Sequence, residues 1–207
     1  MDTVEFMGCK KLVYAEVVCD DNETGEGHGY VTGTVKELAP VQEIAKTVDT
    51  SSDTHYYDNR AAIVINGEGS DTVTFTIAIP EDSVLADISG RTYDATKKMF
   101  IDSERQTKYF AVGYILGEEG DDPDERYVWR YKGTFGGLDE DSATKNNGTD
   151  AKNMSLVYTG IYTNHIFTNG KGTGVAGVAK AAYIRKSANV ATETQWFSSV
   201  STPDTTF

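Results

Sequence analysis

The sequence predicts a mainly β fold: an antiparallel β-sandwich or half-barrel of two packed sheets, flanked by one short α-helix and carrying long loops. The first observation is the alternation in YVWRYKGTF at residues 127–135, since successive strand side chains point to opposite faces of a sheet. The second is that a similar alternation resumes at Leu156, after a long polar loop. The third is that only one segment carries signals for both ends of a helix. Many strands with a single helix favour an antiparallel fold.

The large aromatic side chains of residues 127–135 form the candidate core face. They are Tyr127, Trp129, Tyr131 and Phe135. We expect the opposite face, which carries Val128, Arg130, Lys132 and Thr134, to be wet or half-wet. Beyond the loop, Leu156, Tyr158, Tyr162 and Ile166 alternate with other bulky residues. This pattern predicts a strand that is buried on one side and contacts something else, such as another protein chain, on the other.

The first third of the chain alternates between short strands and polar turns. Strands are predicted at residues 11–18, 31–38 and 42–48, with a Gly-rich turn at 20–29. Residues 49–59 have loop-like composition, and they include Asp49, His55, Tyr56 and Tyr57. A hairpin is then predicted from strands at 60–65 and 71–78, because Asn66-Gly67 between them is a dipeptide favoured in two-residue turns.

One helix is predicted directly after this hairpin. Pro80 opens it, Glu81 and Asp82 lie in the first turn, where the helix dipole favours negative charge, and Gly90 ends it. Its buried stripe is predicted to be Val84, Leu85 and Ile88.

The second half of the chain is predicted to contain strands joined by two polar connections. A strand at residues 109–116 leads into GEEGDDPDER at 117–126, which is typical of a solvated hairpin tip. A loop spans residues 136–153. Residues 169–177 are Gly-rich, and residues 198–207 have the composition of a loose polar arm. We expect one domain over residues 1–207, with its core at about 8–167 and a C-terminal arm within 170–207 that docks on a neighbour.

Composition excludes several functions. The 207 residues carry a formal net charge of -13, which disfavours a nucleic-acid grip, because such binding needs clustered Lys and Arg. No apolar run approaches the ~20 residues that span a bilayer, and no signal segment is recognisable, so a cytosolic product without membrane contact is expected. Cys9 and Cys19 are predicted to be partly buried thiols rather than a disulfide framework.

Tests for chemistry predict no enzyme, cofactor or metal site. GTGVAG at residues 172–177 matches the dinucleotide fingerprint, but the chain around it lacks the parallel βαβ unit that the fingerprint needs. His28, His55 and His165 lie in different segments without a nucleophile motif. Zinc is not expected, because the cysteines have neither C-x-x-C spacing nor a paired His. The many carboxylates leave a glycosidase pair open without singling one out.

Several motifs resemble the major tail proteins, or tail tube proteins, of long-tailed, siphovirus-type bacteriophages. They are GCKKLVYAEV at residues 8–17, the helix end ISG at 88–90 before TYD at 92–94, YVWRYKGTF at 127–135, Thr144-Lys145 in the polar loop, and LVYTG at 156–160. The resemblance covers about residues 8–167, and the segment from Gly170 onward departs from it.

The resemblance implies a structural virion protein with the phage tail tube fold. Six subunits would close into a ring, and stacked rings would form a hollow tube around a tape measure protein. The tube would meet tail terminator and baseplate or tail-tip proteins and conduct DNA without binding it specifically. Localisation would be the virion tail, after assembly in the host cytoplasm. An acidic bore would repel phosphates, although acidic charge also serves ordinary solubility.

Self-assembly through the two long loops follows from this resemblance and from the rarity of such loops without function. The candidate assembly residues are Asp49, His55, Tyr56, Tyr57, Asp139, Glu140, Asp141, Thr144, Lys145 and Asn147. The alternative is a carbohydrate-binding β-sandwich module that would use Tyr127, Trp129 and Tyr131 as a stacking platform.

Overall fold

The computed structural model describes residues 4–58, 60–120, 122–136 and 153–207. Eleven strands lie in these ranges: β1 Val4–Asp20, β2 Tyr30–Thr32, β3 Lys36–Ala39, β4 Val41–Tyr57, β5 Arg60–Ile77, β6 Thr92–Asp94, β7 Met99–Ile101, β8 Phe110–Gly120, β9 Asp124–Phe135, β10 Met154–Gly160 and β11 Ala181–Arg185. Two α-helices, α1 Asp82–Ser89 and α2 Glu193–Ser198, and a 3-10 turn at Lys186–Ala188 complete the described elements.

Nine of the strands form one antiparallel sheet. Its main order is β2-β1-β8-β9-β10-β5-β4, with β3 on β1 and β11 on β9, while β6 and β7 form a separate hairpin. The predicted mainly antiparallel β class is therefore confirmed. The nine strands are joined in one hydrogen-bonded sheet, whereas two separate packed sheets were predicted. This sheet curves so that β1, near one end of the strand order, contacts β4 at the other end.

Core 1, named here for the cluster around Phe75, Phe110 and Tyr158, fills the concave side of this curled sheet. Side chains from β1, β3, β5, β8, β9 and β10 meet there, and α1 adds Leu85 and Ile88. Because strands from both ends of the sheet order contribute to one cluster, the sheet closes around it as a half-barrel.

Core 2, named here for the cluster around Trp129 and Phe197, lies on the opposite side of β1, β8 and β9. Trp129, Tyr131 and Ala15 are fully buried there, and α2 covers Trp129 through Phe197. The indole Nε1 of Trp129 donates to the Trp196 carbonyl at 2.9 Å. The sheet thus has a hydrophobic core on each side.

The predicted helix at residues 80–90 is confirmed as α1. Glu81 is the N-cap residue, and Gly90 ends the helix in the left-handed conformation at φ 68°. A side chain at Gly90 would clash with the backbone of Gln106 as well, so glycine is required both for this ending and for the close approach. Of the predicted stripe, Leu85 and Ile88 are buried, and Val84 packs beside them, partly buried.

The hairpin predicted around Asn66-Gly67 is wrong, and so is the loop predicted at residues 49–59. Asn66 and Gly67 lie inside β5, opposite Ser52 and Ser51 of β4. The chain instead reverses between Tyr57 and Arg60, where Asp58 has a φ of 51°. Pairing with an apolar partner strand overrode the loop-like composition of residues 49–57, since strand formation depends on cross-strand neighbours.

The predicted common face of the four aromatic residues in β9 is correct only as far as Tyr131. Phe110 pairs with Gly133 and Val112 with Arg130, so β9 has one residue more than β8 over this stretch. Such a bulge reverses the side-chain alternation, and Phe135 therefore packs in core 1 instead of core 2.

The opposite face of β9 is also drier than predicted. Val128, Arg130 and Lys132 are all at most 6 % exposed, because core 1 or an ion pair covers them. Strand β9 is therefore buried on both faces, as central strands are.

The prediction of a loose polar arm at residues 198–207 is wrong for the residues that pack against core 2. Val200 and Ser201 are buried, and the Ser201 carbonyl accepts a hydrogen bond from the Tyr131 hydroxyl at 3.2 Å. Asp204 accepts hydrogen bonds at 2.8 Å from the backbone of Thr168 and Asn169. This segment therefore packs against the rest of its own chain.

Two smaller predictions are confirmed. Strands β8 and β9 form the hairpin predicted around residues 117–126, although its tip is not solvated throughout, because Glu118 is buried beside Arg126 and Arg185. Cys9 and Cys19 are free, partly buried thiols. Within the described ranges, no helix has both the length and the apolar composition that crossing a bilayer requires.

Candidate functional site: the β4-β5 ribbon

Strands β4 and β5 continue beyond the sheet as a two-stranded ribbon. β10 pairs with β5 only from Asp71 to Ile77, whereas β4 pairs with β5 as far as Tyr57 and Arg60. We call residues 50–57 and 60–68 the β4-β5 ribbon. At about 3.4 Å per residue, the outer part of β4 projects about 25 Å past the last strand that supports it.

The ribbon exposes an unusual amount of apolar surface. The exposed large side chains are Tyr56 at 68 %, Tyr57 at 61 %, Ile63 at 49 %, Val64 at 55 % and Ile65 at 55 %. Neighbouring residues on one strand point to opposite faces, so Val64 and the two isoleucines place apolar groups on both sides of the ribbon. Clustered apolar groups of this kind mark interaction surfaces, unlike singly scattered ones.

Strand β4 also ends the sheet. In the described part of the chain, its only strand partner is β5, so one backbone edge of β4 carries unpaired N–H and C=O groups. Such an edge is a template for pairing with another chain.

A buried ion cluster, hereafter the ribbon-base cluster, fixes the point where the ribbon leaves the sheet. Asp71 of β5 lies in the centre of this cluster. Its carboxylate contacts the guanidinium of Arg130 at 2.8 Å, the Lys46 ammonium at 3.1 Å and the Lys180 ammonium at 3.2 Å. Arg130 and Asp71 are almost completely buried.

Lys180 joins this cluster to the ribbon itself. Its ammonium donates to the Glu68 carboxylate at 2.8 Å and to the Gly69 carbonyl at 2.6 Å. Because Lys180 precedes β11, the C-terminal part of the chain holds the base of the ribbon against β9. Charged hydrogen bonds of this kind set the direction in which the ribbon projects.

The electrostatics of the cluster favour the charged forms of Asp71 and Lys180. Burial alone would raise the pKa of Asp71, but hydrogen bonds from Arg130, Lys46 and Lys180 outweigh burial and lower that pKa below its ordinary value. Burial likewise opposes the charge of Lys180, while Glu68 and Asp71 raise its pKa above the ordinary value.

The structure places the described candidate assembly residues on or beside the ribbon. Asp49 lies at its base, exposed, and accepts a hydrogen bond from Ser70 at 3.0 Å. His55 lies 3.5 Å from the Asp53 carboxylate, and Tyr56 and Tyr57 are near the tip. The other candidates, Asp139, Glu140, Asp141, Thr144, Lys145 and Asn147, fall outside the described residues.

The residues tested for chemistry lie elsewhere. No helix directly follows residues 172–177, because β11 is the next element, so these glycines do not form a dinucleotide-binding turn. His28 lies in the turn after β1 and contacts the Asp21 carboxylate, and His165, after β10, contacts the Asp21 carbonyl. Tyr127, Trp129 and Tyr131 are at most 2 % exposed, so these rings have no face free to stack on a sugar.

The ribbon-base cluster was not found from the sequence. Asp71, Arg130 and Lys180 are far apart along the chain, and each is an ordinary surface type by composition. The only available signal was Arg130 within a strand whose other face is aromatic. A strand buried on both faces would require a partner for that charge.

Together, the fold and the ribbon define the class of the protein: a mainly antiparallel β domain with an exposed, apolar two-stranded projection. No protein-family model matches the chain, and no curated protein matches it significantly in sequence.

Proposed function

We propose that this protein is the subunit of a phage tail tube, in which copies assemble into hexameric rings that stack into a hollow conduit. The single observation that carries the proposal is the β4-β5 ribbon, whose apolar side chains are exposed on both faces. An isolated two-stranded hairpin is at best marginally stable in water. Docking on a partner would supply the burial that the ribbon lacks in the single chain.

A second copy of the chain is the partner that fits. The ribbon projects from one end of the sheet, so a neighbour that receives it on a different region of its surface would form a head-to-tail interface. Interfaces of this type generate closed rings or open helical filaments rather than simple dimers. The ribbon and the free β4 edge thus support polymerisation, and the resemblance of several motifs to those of tail tube proteins supports a ring.

The other partners follow from the proposal. A tube of this kind surrounds a tape measure protein during assembly and meets tail terminator and baseplate or tail-tip proteins at its ends. The net charge of -13 supports DNA passage without specific binding, since carboxylates repel phosphates and offer no counterion-releasing grip.

Shortening the ribbon tests the proposal. We expect a variant in which Asn-Gly replaces residues 50–68 to remain a folded monomer, because the described residues of that segment are almost all exposed. It should form neither rings nor tubes in negative-stain micrographs of concentrated protein, whereas the unaltered protein should form them. Circular dichroism and a thermal melt would establish folding.

A finer variant has a matched control. Ile63→Ser with Ile65→Ser removes apolar surface from the ribbon, and Val190→Ser removes it from an equally exposed site after the 3-10 turn. Only the ribbon variant should lose assembly. Tubes of normal yield from the ribbon variants, or only featureless monomers from the unaltered protein, would contradict the proposal.

Deleting residues 139–148 is a separate test of the second loop. We expect this variant to fold and to lose polymerisation, because the sequence predicts that this loop contacts a neighbouring subunit. Sedimentation velocity would distinguish monomer from polymer, and normal polymer from the deletion variant would remove this loop from the interface.

A further inference from the structure

The turn between β1 and β2 brings a thiol, a carboxylate and an imidazole together. Cys19 Sγ lies 3.1 Å from Asp21 Oδ2, and His28 Nδ1 lies 3.0 Å from the same oxygen. All three ligand atoms lie within 4.8 Å of one another. This juxtaposition is independent of the β4-β5 ribbon and of any role in assembly.

The turn is organised so that one oxygen of Asp21 remains directed at the other two groups. Its Oδ1 accepts the backbone N–H of Gly29 at 2.7 Å and that of Glu23 at 3.1 Å. These bonds close the turn and leave Oδ2 to Cys19 and His28. Gly29 has a φ of 86°, which lets the chain return immediately after His28.

A second layer of contacts fixes the turn to the body of the protein. The ring of His165 contacts the Asp21 carbonyl through Nδ1 at 2.7 Å. Asn22 donates to the Asn164 carbonyl at 3.0 Å and accepts the backbone N–H of Ile166 at 2.7 Å. The three candidate ligands therefore have a preformed backbone, which lowers the cost of ordering them around an ion.

The geometry suits a small tetrahedral ion. Zn²⁺ binds sulfur at about 2.3 Å and nitrogen or oxygen at about 2.0–2.2 Å, so neighbouring ligands in a tetrahedron lie about 3.3–3.7 Å apart. The observed contacts at 3.0 and 3.1 Å need only a small expansion to admit it. A thiolate with an imidazole selects zinc-like metals, whereas Mg²⁺ and Ca²⁺ prefer oxygen ligands.

We propose that Cys19, Asp21 and His28 form a Zn²⁺ site. A rotation of the exposed Glu23 side chain, whose Oε2 lies 3.4 Å from His28 Nδ1, would bring in the fourth ligand. On binding, Zn²⁺ replaces the thiol proton of Cys19, which leaves to solvent, and Nδ1 of the neutral imidazole donates its lone pair to the metal. The site joins the end of β1 to the turn that contacts residues 164–166.

The sequence predicted no metal because the ligand spacing, C-x-D-x6-H, is not that of common zinc motifs. Common zinc motifs contain closely spaced pairs of cysteines or of histidines. The site proposed here instead combines one cysteine, one histidine and one carboxylate within residues 19–28.

Titration with Co²⁺, followed by competition with Zn²⁺, tests the site on the full chain. We expect one Co²⁺ per chain, a sulfur-to-cobalt charge-transfer band, and displacement of Co²⁺ by Zn²⁺. Cys19→Ser should abolish the band and weaken Zn²⁺ binding about 100-fold or more, since even changes to outer-shell partners cost 10- to 100-fold. His28→Ala should weaken binding comparably.

Matched controls are available for both ligands. Cys9→Ser removes the other cysteine, and His55→Ala removes a histidine on the ribbon, so both should bind Zn²⁺ as the unaltered protein does. Circular dichroism without metal verifies that each variant is folded. If Cys19→Ser fails to fold, His28→Ala still tests the site, because the side chain that it removes is half-exposed. A missing charge-transfer band in the unaltered protein, or equal Zn²⁺ affinity in Cys19→Ser or His28→Ala, would overturn the proposal.

Discussion

Asp71→Asn is expected to lower the free energy of unfolding by about 3–5 kcal/mol, the usual cost of removing one partner from a buried ion pair. Asparagine preserves the shape of the side chain but leaves the almost fully buried Arg130 and Lys180 without their shared anion. Urea unfolding followed by circular dichroism measures the change.

Glu68→Gln is the matched control for Asp71→Asn. Glu68 also pairs with Lys180, but its side chain is 54 % exposed, so its loss should cost less than about 1 kcal/mol. Equal effects from the two variants would mean that burial does not determine the strength of the ribbon-base cluster.

The Asp71 effect should depend on pH. Because the folded-state pKa of Asp71 is lowered, its ionised carboxylate contributes stability above the unfolded pKa, about 3.9, and that contribution is lost as pH falls through the folded pKa. The difference in unfolding free energy between the unaltered protein and Asp71→Asn should therefore have its full size at neutral pH and should decrease below about pH 4. A constant difference across this range would contradict the assignment.

Trp129→Ala is expected to cost about 3–5 kcal/mol, because it opens a large cavity in core 2 and removes a buried hydrogen-bond donor. Trp129 is completely buried, and its ring centroid lies 5.7 Å from that of Phe197 on α2. Among the described residues, the lost indole N–H also leaves the Trp196 carbonyl with the Ser201 hydroxyl as its one side-chain donor.

Two measurements make this second prediction specific. Tyr56→Ala removes an aromatic ring that is 68 % exposed, so it should change stability by less than about 0.5 kcal/mol. In Trp129→Ala, the remaining Trp196 reports on α2: red-shifted fluorescence would indicate that the helix has detached, and unshifted fluorescence that it stays docked over a cavity. A stability loss no larger than that of Tyr56→Ala would contradict the role assigned to core 2.

Local signals in the sequence predicted the elements whose determinants are local. Pro80 and Gly90 bracket α1 correctly because helix ends depend on nearby backbone chemistry. The alternation of β9 is correct as far as Tyr131, since a period of two residues is visible without a partner strand. The bulge before Gly133 could not be predicted, because it is defined only by the register against β8.

Other misses have different causes. Helix α2 did carry a readable signal, the capping box formed by Thr192 and Gln195, but its six residues lie in a segment of polar composition. The β4-β5 ribbon was hidden because residues 49–57 are polar and gain their strand character from pairing with β5. The ribbon-base cluster and the Cys19 turn both depend on side chains that only the fold brings together.

The position of α2 in the sequence limits when core 2 can form during synthesis of the chain. Core 2 joins Val13 and Ala15 of β1 to Trp196 and Phe197, so it cannot close until α2 has been synthesised. Contacts of such long sequence separation slow folding, and a nascent chain that stops before α2 leaves Trp129 and Tyr131 uncovered. Such truncated products would be aggregation-prone and open to proteolysis. Closure of core 2 therefore separates chains that have completed α2 from shorter ones, because only the former shield Trp129 from water.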